Sequence, residues 1–168
     1  MPASDGQLLH DLIVEHGYTR ALEIGTSTGH SGIWIAWALS KTGGKLITVE
    51  IDPARHKEAL ANFEAAGLSE FIDARLGNAH EIVPALDGPF DFVFSDADKD
   101  WYPNYFKAVF PKLTPGGCYA THNISERGRG RGTAGSHEYL ELLRSTPGAE
   151  TSVDERGGGM AITFRRTT

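Results

Sequence analysis

Arg20-Ala21-Leu22-Glu23-Ile24, followed by Gly25-Thr26-Ser27-Thr28-Gly29-His30-Ser31, is the stretch whose reading decides the fold. Residues 20–24 form a short strand, stopped by Gly25 and a polar turn through Gly29. Ser31 to Leu39 is apolar on nearly every side and reads as a buried helix. Lys45-Leu46-Ile47-Thr48-Val49-Glu50, rich in β-branched residues, is the next strand. Asp52-Pro53 then supplies an N-cap followed by proline at the first helical position, and Gly67 closes that helix. Its inward face is expected to carry Ala59, Leu60, Phe63 and Ala66.

The alternation extends outward in both directions. One short helix, about Asp5 to His16, precedes the first strand. Downstream come a strand near Phe71–Arg75, a helix over Ala79–Leu86 and a strand at Phe90–Phe94. A helix over Trp101–Leu113 leads through Pro115-Gly116-Gly117 into a strand over Cys118–His122. A helix over Ser136–Arg144 and β stretches at Glu150–Val153 and Met160–Arg165 complete the series. Five successive βα units indicate an α/β fold: a parallel sheet with helices on both faces and an antiparallel hairpin at one edge. No internal repeat is present, and 168 residues suit one domain spanning 1–168.

Composition excludes several classes. Sixteen Lys and Arg against 22 Asp and Glu, net −6, argue against a broad nucleic-acid footprint. The single cysteine, Cys118, allows no intramolecular disulfide and no thiolate zinc cluster. The longest apolar run, Ile33 to Leu39, is too short to span a bilayer. Met1–Asp5 lacks the basic start of a secretory signal, so a cytoplasmic protein with no membrane partner is expected.

Ligands bind parallel α/β sheets at the carboxyl ends of the strands, near the point where strand order reverses. Gly25 and Gly29 let the backbone approach a ligand, and the helix that follows points free N–H groups at it. Glu50, 25 residues beyond Gly25, ends the second strand where a carboxylate can accept both hydroxyls of a ribose. A nucleoside cofactor accounts for both features, although the two glycines alone would also serve a bare strand–helix turn. The dinucleotide fingerprint has its second glycine where this chain has Ser27, which disfavours NAD and FAD. A GxxxG loop preceded by the acidic Glu23 suits S-adenosylmethionine, which carries no phosphates.

With these segments in register, the chain resembles the class I S-adenosylmethionine-dependent methyltransferases, specifically the catechol and caffeoyl-CoA O-methyltransferase-like family. Leu22–Ser31 is similar to that family's first motif and Val49-Glu50-Ile51-Asp52-Pro53 to its second. Gly77-Asn78-Ala79-His80 falls where the family contacts adenine. Phe94-Ser95-Asp96-Ala97-Asp98-Lys99, with Tyr102, resembles its most distinctive segment, and Pro115-Gly116-Gly117 and Asn123 follow. The resemblance implies a Rossmann-like, seven-stranded, mostly parallel sheet with an antiparallel last strand.

It also implies site roles. Gly25, Ser27 and Ser31 would hold the methionine tail, with Glu23 and Gly29 in the same loop, and Glu50 and Ile51 would lie at the ribose. Asn78, Ala79 and His80 would border the adenine, and Asp96 would approach the methionine end. In the family, Asp96 also ligates a divalent metal with an Asp-Asn pair, and Lys99 matches the lysine proposed as general base. This chain has His122-Asn123 at the Asp-Asn pair. Either a metal is held by Asp96, His122 and Asn123, with imidazole shifting preference from Mg towards Mn or another transition metal, or His122 is itself the base, or the site has lost its chemistry.

The expected function is methyl transfer from S-adenosylmethionine to an oxygen of a small phenolic or catechol-type acceptor, with divalent-metal assistance. The alternatives are a metal-independent methyltransferase using His122, and a non-catalytic S-adenosylmethionine-binding protein. His10, His16, His56 and His137 read as surface residues, Trp34 and Trp37 as core packing, and His30 as a residue near the cofactor. Arg127-Gly128-Arg129-Gly130-Arg131-Gly132 reads as a mobile loop over the site, either solvated or a clamp for an acidic substrate. With so short a chain the acceptor pocket is expected to come from Asp96–Tyr102, that loop, the first helix, or the second subunit of a homodimer.

Overall fold

A computed structural model describes residues 1–127 and 135–167. The elements are α1 (Ala3–His16), β1 (Arg20–Ile24), α2 (His30–Thr42), β2 (Lys45–Glu50), α3 (Pro53–Ala65), β3 (Ile72–Leu76) and α4 (Ala79–Ala85). They continue with β4 (Phe90–Ser95), α5 (Tyr102–Val109), β5 (Leu113–His122), α6 (Ser136–Ser145), β6 (Ala149–Asp154) and β7 (Met160–Arg165). The seven strands form one sheet in the order β3-β2-β1-β4-β5-β7-β6. Pairing is parallel from β3 through β5, and β7 runs antiparallel between β5 and β6. The expected fold class is the observed one, with β6 at the edge of the final hairpin.

Strand period two divides the core between the faces. Leu22, Ile24 and Val93 pack with α5 and α6 through Tyr105, Phe106, Val109, Leu140 and Leu143. Ala21, Phe92 and Phe94 face the opposite way and pack with α1 and α2 through Leu9, Ile13, Ile35 and Leu39. Asp52 caps α3 by accepting from the Ala54 and Arg55 amides, as its position before Pro53 predicts. Among the described residues, no helix is long and apolar enough to cross a membrane.

Some expectations need correction. On α3 only Ala59 and Phe63 are buried; Leu60 is 45% exposed and Ala66 is exposed. The helix read over Trp101–Leu113 is a regular α-helix only from Tyr102 to Val109, with 3-10 turns at Lys99–Trp101 and at Phe110–Lys112, where Pro111 interrupts it. Strand β5 begins at Leu113, not Cys118. Pro115-Gly116-Gly117 lies within it as an irregularity: Phe90 pairs with Leu113 while Phe92 pairs with Cys118. Trp37 is 43% exposed, whereas Trp34 packs over Gly6 of α1. His10, expected at the surface, is buried under the Trp37 ring, with Nε2 2.8 Å from Lys41 Nζ.

Two glycines of left-handed backbone separate conformational need from crowding. Gly25 has φ +96°, and a Cβ there would lie 2.5 Å from the Asp96 carbonyl oxygen. Gly43, which ends α2, has φ +81° with nothing within 4 Å of a Cβ. Gly43→Ala is expected to cost about 1 kcal/mol. Gly25→Ala should cost at least about 3 kcal/mol, because backbone must also move. Urea unfolding of the two variants checks the order, and equal losses would refute it.

Candidate active site

At the carboxyl edge of β1, β2 and β4 lies a cleft of about 540 Å³. Of the expected residues, Gly25, Ser27, Glu50, Ile51, Asn78, Ala79, His80 and Asp96 line it. Val49, Arg55, Ala97 and Asp98 line it too and were not foreseen; Arg55 stands one turn into α3, just beyond the Glu50 loop.

The loop after β1 is built to aim Glu50. The Gly25 and Thr26 amides both bond to the Val49 carbonyl at 3.0 Å, turning the chain back over β2. Ser27 has left-handed backbone at φ +53°, and its N–H donates to Glu50 Oε1 at 2.7 Å. The Asp52 N–H donates to Oε2 at 3.1 Å. Two backbone donors thus fix a mostly buried carboxylate whose remaining lone pairs border the cleft. Ile51, 63% exposed, presents an apolar side chain beside it.

Glu23, Gly29 and Ser31, expected at the cofactor, do not line the cleft. Glu23 is wholly buried on the α2 side of β1, where it accepts from the Ser31 and Thr48 hydroxyls, the latter at 2.8 Å. Burial pushes its carboxyl up to about 8 against those two hydrogen bonds. Gly29 is required by packing: a Cβ would meet the Phe63 ring of α3 at 2.8 Å. These three support the loop from beneath. His30 is exposed.

On the far wall, Asn78 caps α4 by accepting from the His80 amide at 2.9 Å. The His80 ring stacks on Trp101 at 3.9 Å between centroids, and its Nε2 lies 2.6 Å from Asp98 Oδ2. Tyr105 donates to the other Asp98 oxygen at 2.6 Å. Burial works against the Asp98 charge, yet Tyr105 and His80 hold its carboxyl below the usual range. Asp98 is therefore a tied support, not a loose surface charge.

Lys99 lies outside the cleft and lines a second hollow of about 400 Å³ with Tyr102, Ile124, Tyr139 and Leu142. Burial lowers its amine below the ordinary lysine value, outweighing the Asp96 charge. A larger hollow of about 770 Å³ beside α6 shares no residue with the cleft.

Asp96 and His122, two of the three residues expected to hold a metal, are brought together. His122 Nε2 lies 2.9 Å from Asp5 Oδ2, and its Nδ1 3.4 Å from Asp96 Oδ1. A histidine that ligates through one ring nitrogen commonly donates the other N–H to a carboxylate; Nε2 is placed to do so to Asp5, and Nδ1 is turned towards Asp96. Burial would lower the His122 pKa; Asp96 and then Asp5 outweigh it and raise it. Among the described residues, no group of three or more His, Cys, Asp or Glu converges as a metal site. Asp5, on α1, was not foreseen. Of the arginine loop, Arg127 is exposed and 3.7 Å from Glu155; Gly128–Gly132 lies outside the described residues.

A family model described as O-methyltransferase matches residues 1–144. The chain is 37% identical over 140 residues to a catechol O-methyltransferase of Niastella koreensis, covering 79% of this chain and 63% of that protein. It is 35% identical over 126 residues to caffeoyl-CoA O-methyltransferase 1 of Eucalyptus globulus, covering 72% and 51%. It thus spans between half and two thirds of these relatives' lengths. Among solved structures, the O-methyltransferase TomG of Streptomyces achromogenes, in complex with S-adenosylmethionine, superposes with a TM-score of 0.88 at 29% identity over 99% of this chain and 81% of that one. An O-methyltransferase of Bacillus cereus in complex with S-adenosylhomocysteine gives 0.86 at 28% identity, over 99% and 82%.

The raised carboxyl of Glu23 has a consequence for stability. A group whose folded pKa lies above its unfolded value stabilises fully below the unfolded value and loses that contribution as pH rises through the folded one. For Glu23 the window runs from 4.5 to about 8. His122 acts in the same sense above its ordinary 6.5. Wild-type stability should therefore fall relative to Glu23→Gln between pH 5 and 8, at a slope approaching about 1.4 kcal/mol per pH unit. Parallel urea profiles of the two proteins would refute a neutral Glu23.

Proposed function

The chain belongs to the O-methyltransferase family, and from that premise we propose that it transfers the methyl group of S-adenosylmethionine to an oxygen of a small phenolic or catechol-type acceptor. The supporting observation is the Glu50 carboxylate, held by the Ser27 and Asp52 amides at the cleft wall. Vicinal hydroxyls of a ribose offer two donors to such a group. Ile51 and Ala79 offer apolar surface to a purine ring, with His80 and the Asn78-capped start of α4 at its edge. Asp96, on the β4 side, offers a carboxylate to the cationic amino-acid end of the same ligand.

When bound, S-adenosylmethionine supplies an electrophilic methyl on a sulfonium. Methyl transfer forms one C–O bond as the C–S bond breaks, so the acceptor oxygen must be aligned behind the methyl and relieved of its proton. Lys99 is the group assigned to take that proton. Its lowered pKa brings an amine closer to the working range of a base, and Tyr102, Tyr139 and Leu142 beside it provide an aromatic and apolar wall for a phenol. The names of the catechol and caffeoyl-CoA relatives agree with that class of acceptor.

Calorimetry with S-adenosylmethionine and S-adenosylhomocysteine, followed by mass-spectrometric assay against catechol and caffeate acceptors, tests the reading. Glu50→Ala should weaken binding of both ligands roughly 10- to 100-fold, the worth of hydrogen bonds to a charged group. Lys99→Ala should leave binding unchanged and lower kcat by about 100-fold or more. Tight binding without turnover of any phenol would favour a binding protein instead, and no binding would reject the assignment.

A further inference from the structure

We propose that His80 is a positioning residue: its ring grips both ends of the short turn that presents Lys99, so that filling the cofactor cleft sets Lys99 beside the acceptor. This rests on the function proposed above and adds the residue that links its two pockets.

The cleft and the hollow beside it have no lining residue in common. The divide falls at one peptide bond, with Asp98 on the cleft side and Lys99 on the hollow side. Lys99–Trp101 is a single 3-10 turn, and the Trp101 N–H donates to the Asp98 carbonyl at 3.0 Å to close it. A turn this short has poorer hydrogen-bond geometry than an α-helix and no ladder to support it, so its order depends on what its side chains hold.

Both ends hold the same ring. Asp98, just before the turn, has Oδ2 2.6 Å from His80 Nε2, and the Tyr105 hydroxyl donates to its other oxygen at 2.6 Å. Trp101, which ends the turn, stacks on His80 with centroids 3.9 Å apart and planes 12° from parallel. Tyr105 approaches the same imidazole at 5.9 Å between centroids. His80 itself stands on α4 and lines the cleft, so α4 and the start of α5 meet through one side chain. Lys99 rides on the segment between the two contacts. Among the described residues no hydrogen bond or ion pair holds the Lys99 amine, so its place is set by the backbone of the turn.

A base must stand within hydrogen-bond reach of the proton it takes, and a small displacement from that geometry costs rate. With the cleft filled, a purine lies against the His80 ring. That contact limits rotation of the ring, keeps Nε2 on Asp98 and the ring face on Trp101, and so holds the turn. His80 acts through Lys99 and takes no part in the proton transfer. Its side chain is 35% exposed, so it can be replaced without opening the core.

The test uses the full chain and two readouts. In the ligand-free protein, His80→Ala should speed hydrogen exchange of the Trp101 amide about 10-fold or more by NMR, the worth of one lost hydrogen bond to a charged group. The Asp96 amide, bonded to the Ile24 carbonyl, should not change. S-adenosylhomocysteine should slow Trp101 exchange in wild type and not in His80→Ala. With S-adenosylmethionine and catechol both saturating, His80→Ala should lower kcat about 10- to 100-fold. His80→Gln, whose side-chain amide can reach Asp98, should recover most of that loss. In a Lys99→Ala background, His80→Ala should lower kcat no further, because both changes remove the same placement. Unchanged Trp101 exchange in ligand-free His80→Ala, a change confined to the KM for S-adenosylmethionine, or a full multiplicative loss in the Lys99→Ala background would each overturn the proposal. Absent S-adenosylhomocysteine binding, or a Lys99→Ala variant as active as wild type, would count against the proposed function; the ligand-free Trp101 exchange would then decide by itself whether His80 holds the turn.

Discussion

The carboxyl edge of the sheet depends on one close approach, that of Gly25 to the backbone of Asp96. β1 pairs with β2 on one side and β4 on the other, so the chain leaving it must turn between two strand ends already occupied. The Asp96 N–H bonds the Ile24 carbonyl at 2.9 Å, while the Gly25 N–H bonds the Val49 carbonyl at 3.0 Å. That double attachment leaves no space for a side chain at residue 25. It also puts Glu50 and Asp96, from strands that do not pair with each other, on opposite walls of one cleft.

Carboxylates crowd this edge, and each is settled by a different device. Glu50 is held by backbone N–H groups, Asp98 by a phenol and an imidazole, and Glu23 by burial that favours its neutral form. Asp96 and Asp5 share one imidazole. An acidic chain can line a cleft with negative groups only if the charges left over are few and directed. Among the described residues, Arg55 is the basic side chain lining the cleft, and Lys99 and Lys107 line the hollow with Tyr102 and Tyr139.

Sequence reading recovered what is set locally. The bounds of β1, β2 and β7 and the Asp52-Pro53 start of α3 follow from side-chain period and capping, which need only neighbours in the chain. Of the cleft residues, Gly25 and Glu50 followed from strand ends and spacing, and Ser27 and Ala79 from the family resemblance. Errors arose where a distant partner decides. His10 is buried by Lys41 and Trp37 from another helix, and Gly29 is a glycine because of Phe63. Glu23 could not be told from a cofactor ligand, because period two along β1 does not say which face carries the ligand. Asp5, which bonds His122, was missed for the same reason: it is 117 residues away.

The wiring of that contact has a temporal side. Asp5 meets His122 across 117 residues and the Gly158 amide across 153, and β7 must slot between β5 and β6 before those contacts exist. During synthesis from the amino end, β1 through β4 can pair by short βα connections while the Asp5 carboxylate still waits in water. Contacts of such long sequence separation form late and at high entropic cost. A ribosome-bound intermediate would therefore possess the Glu50 wall of the cleft before the Asp5–His122 clamp beside Asp96. The ligand-binding half and the charge-balancing half of this edge are separated in the order in which the chain can build them.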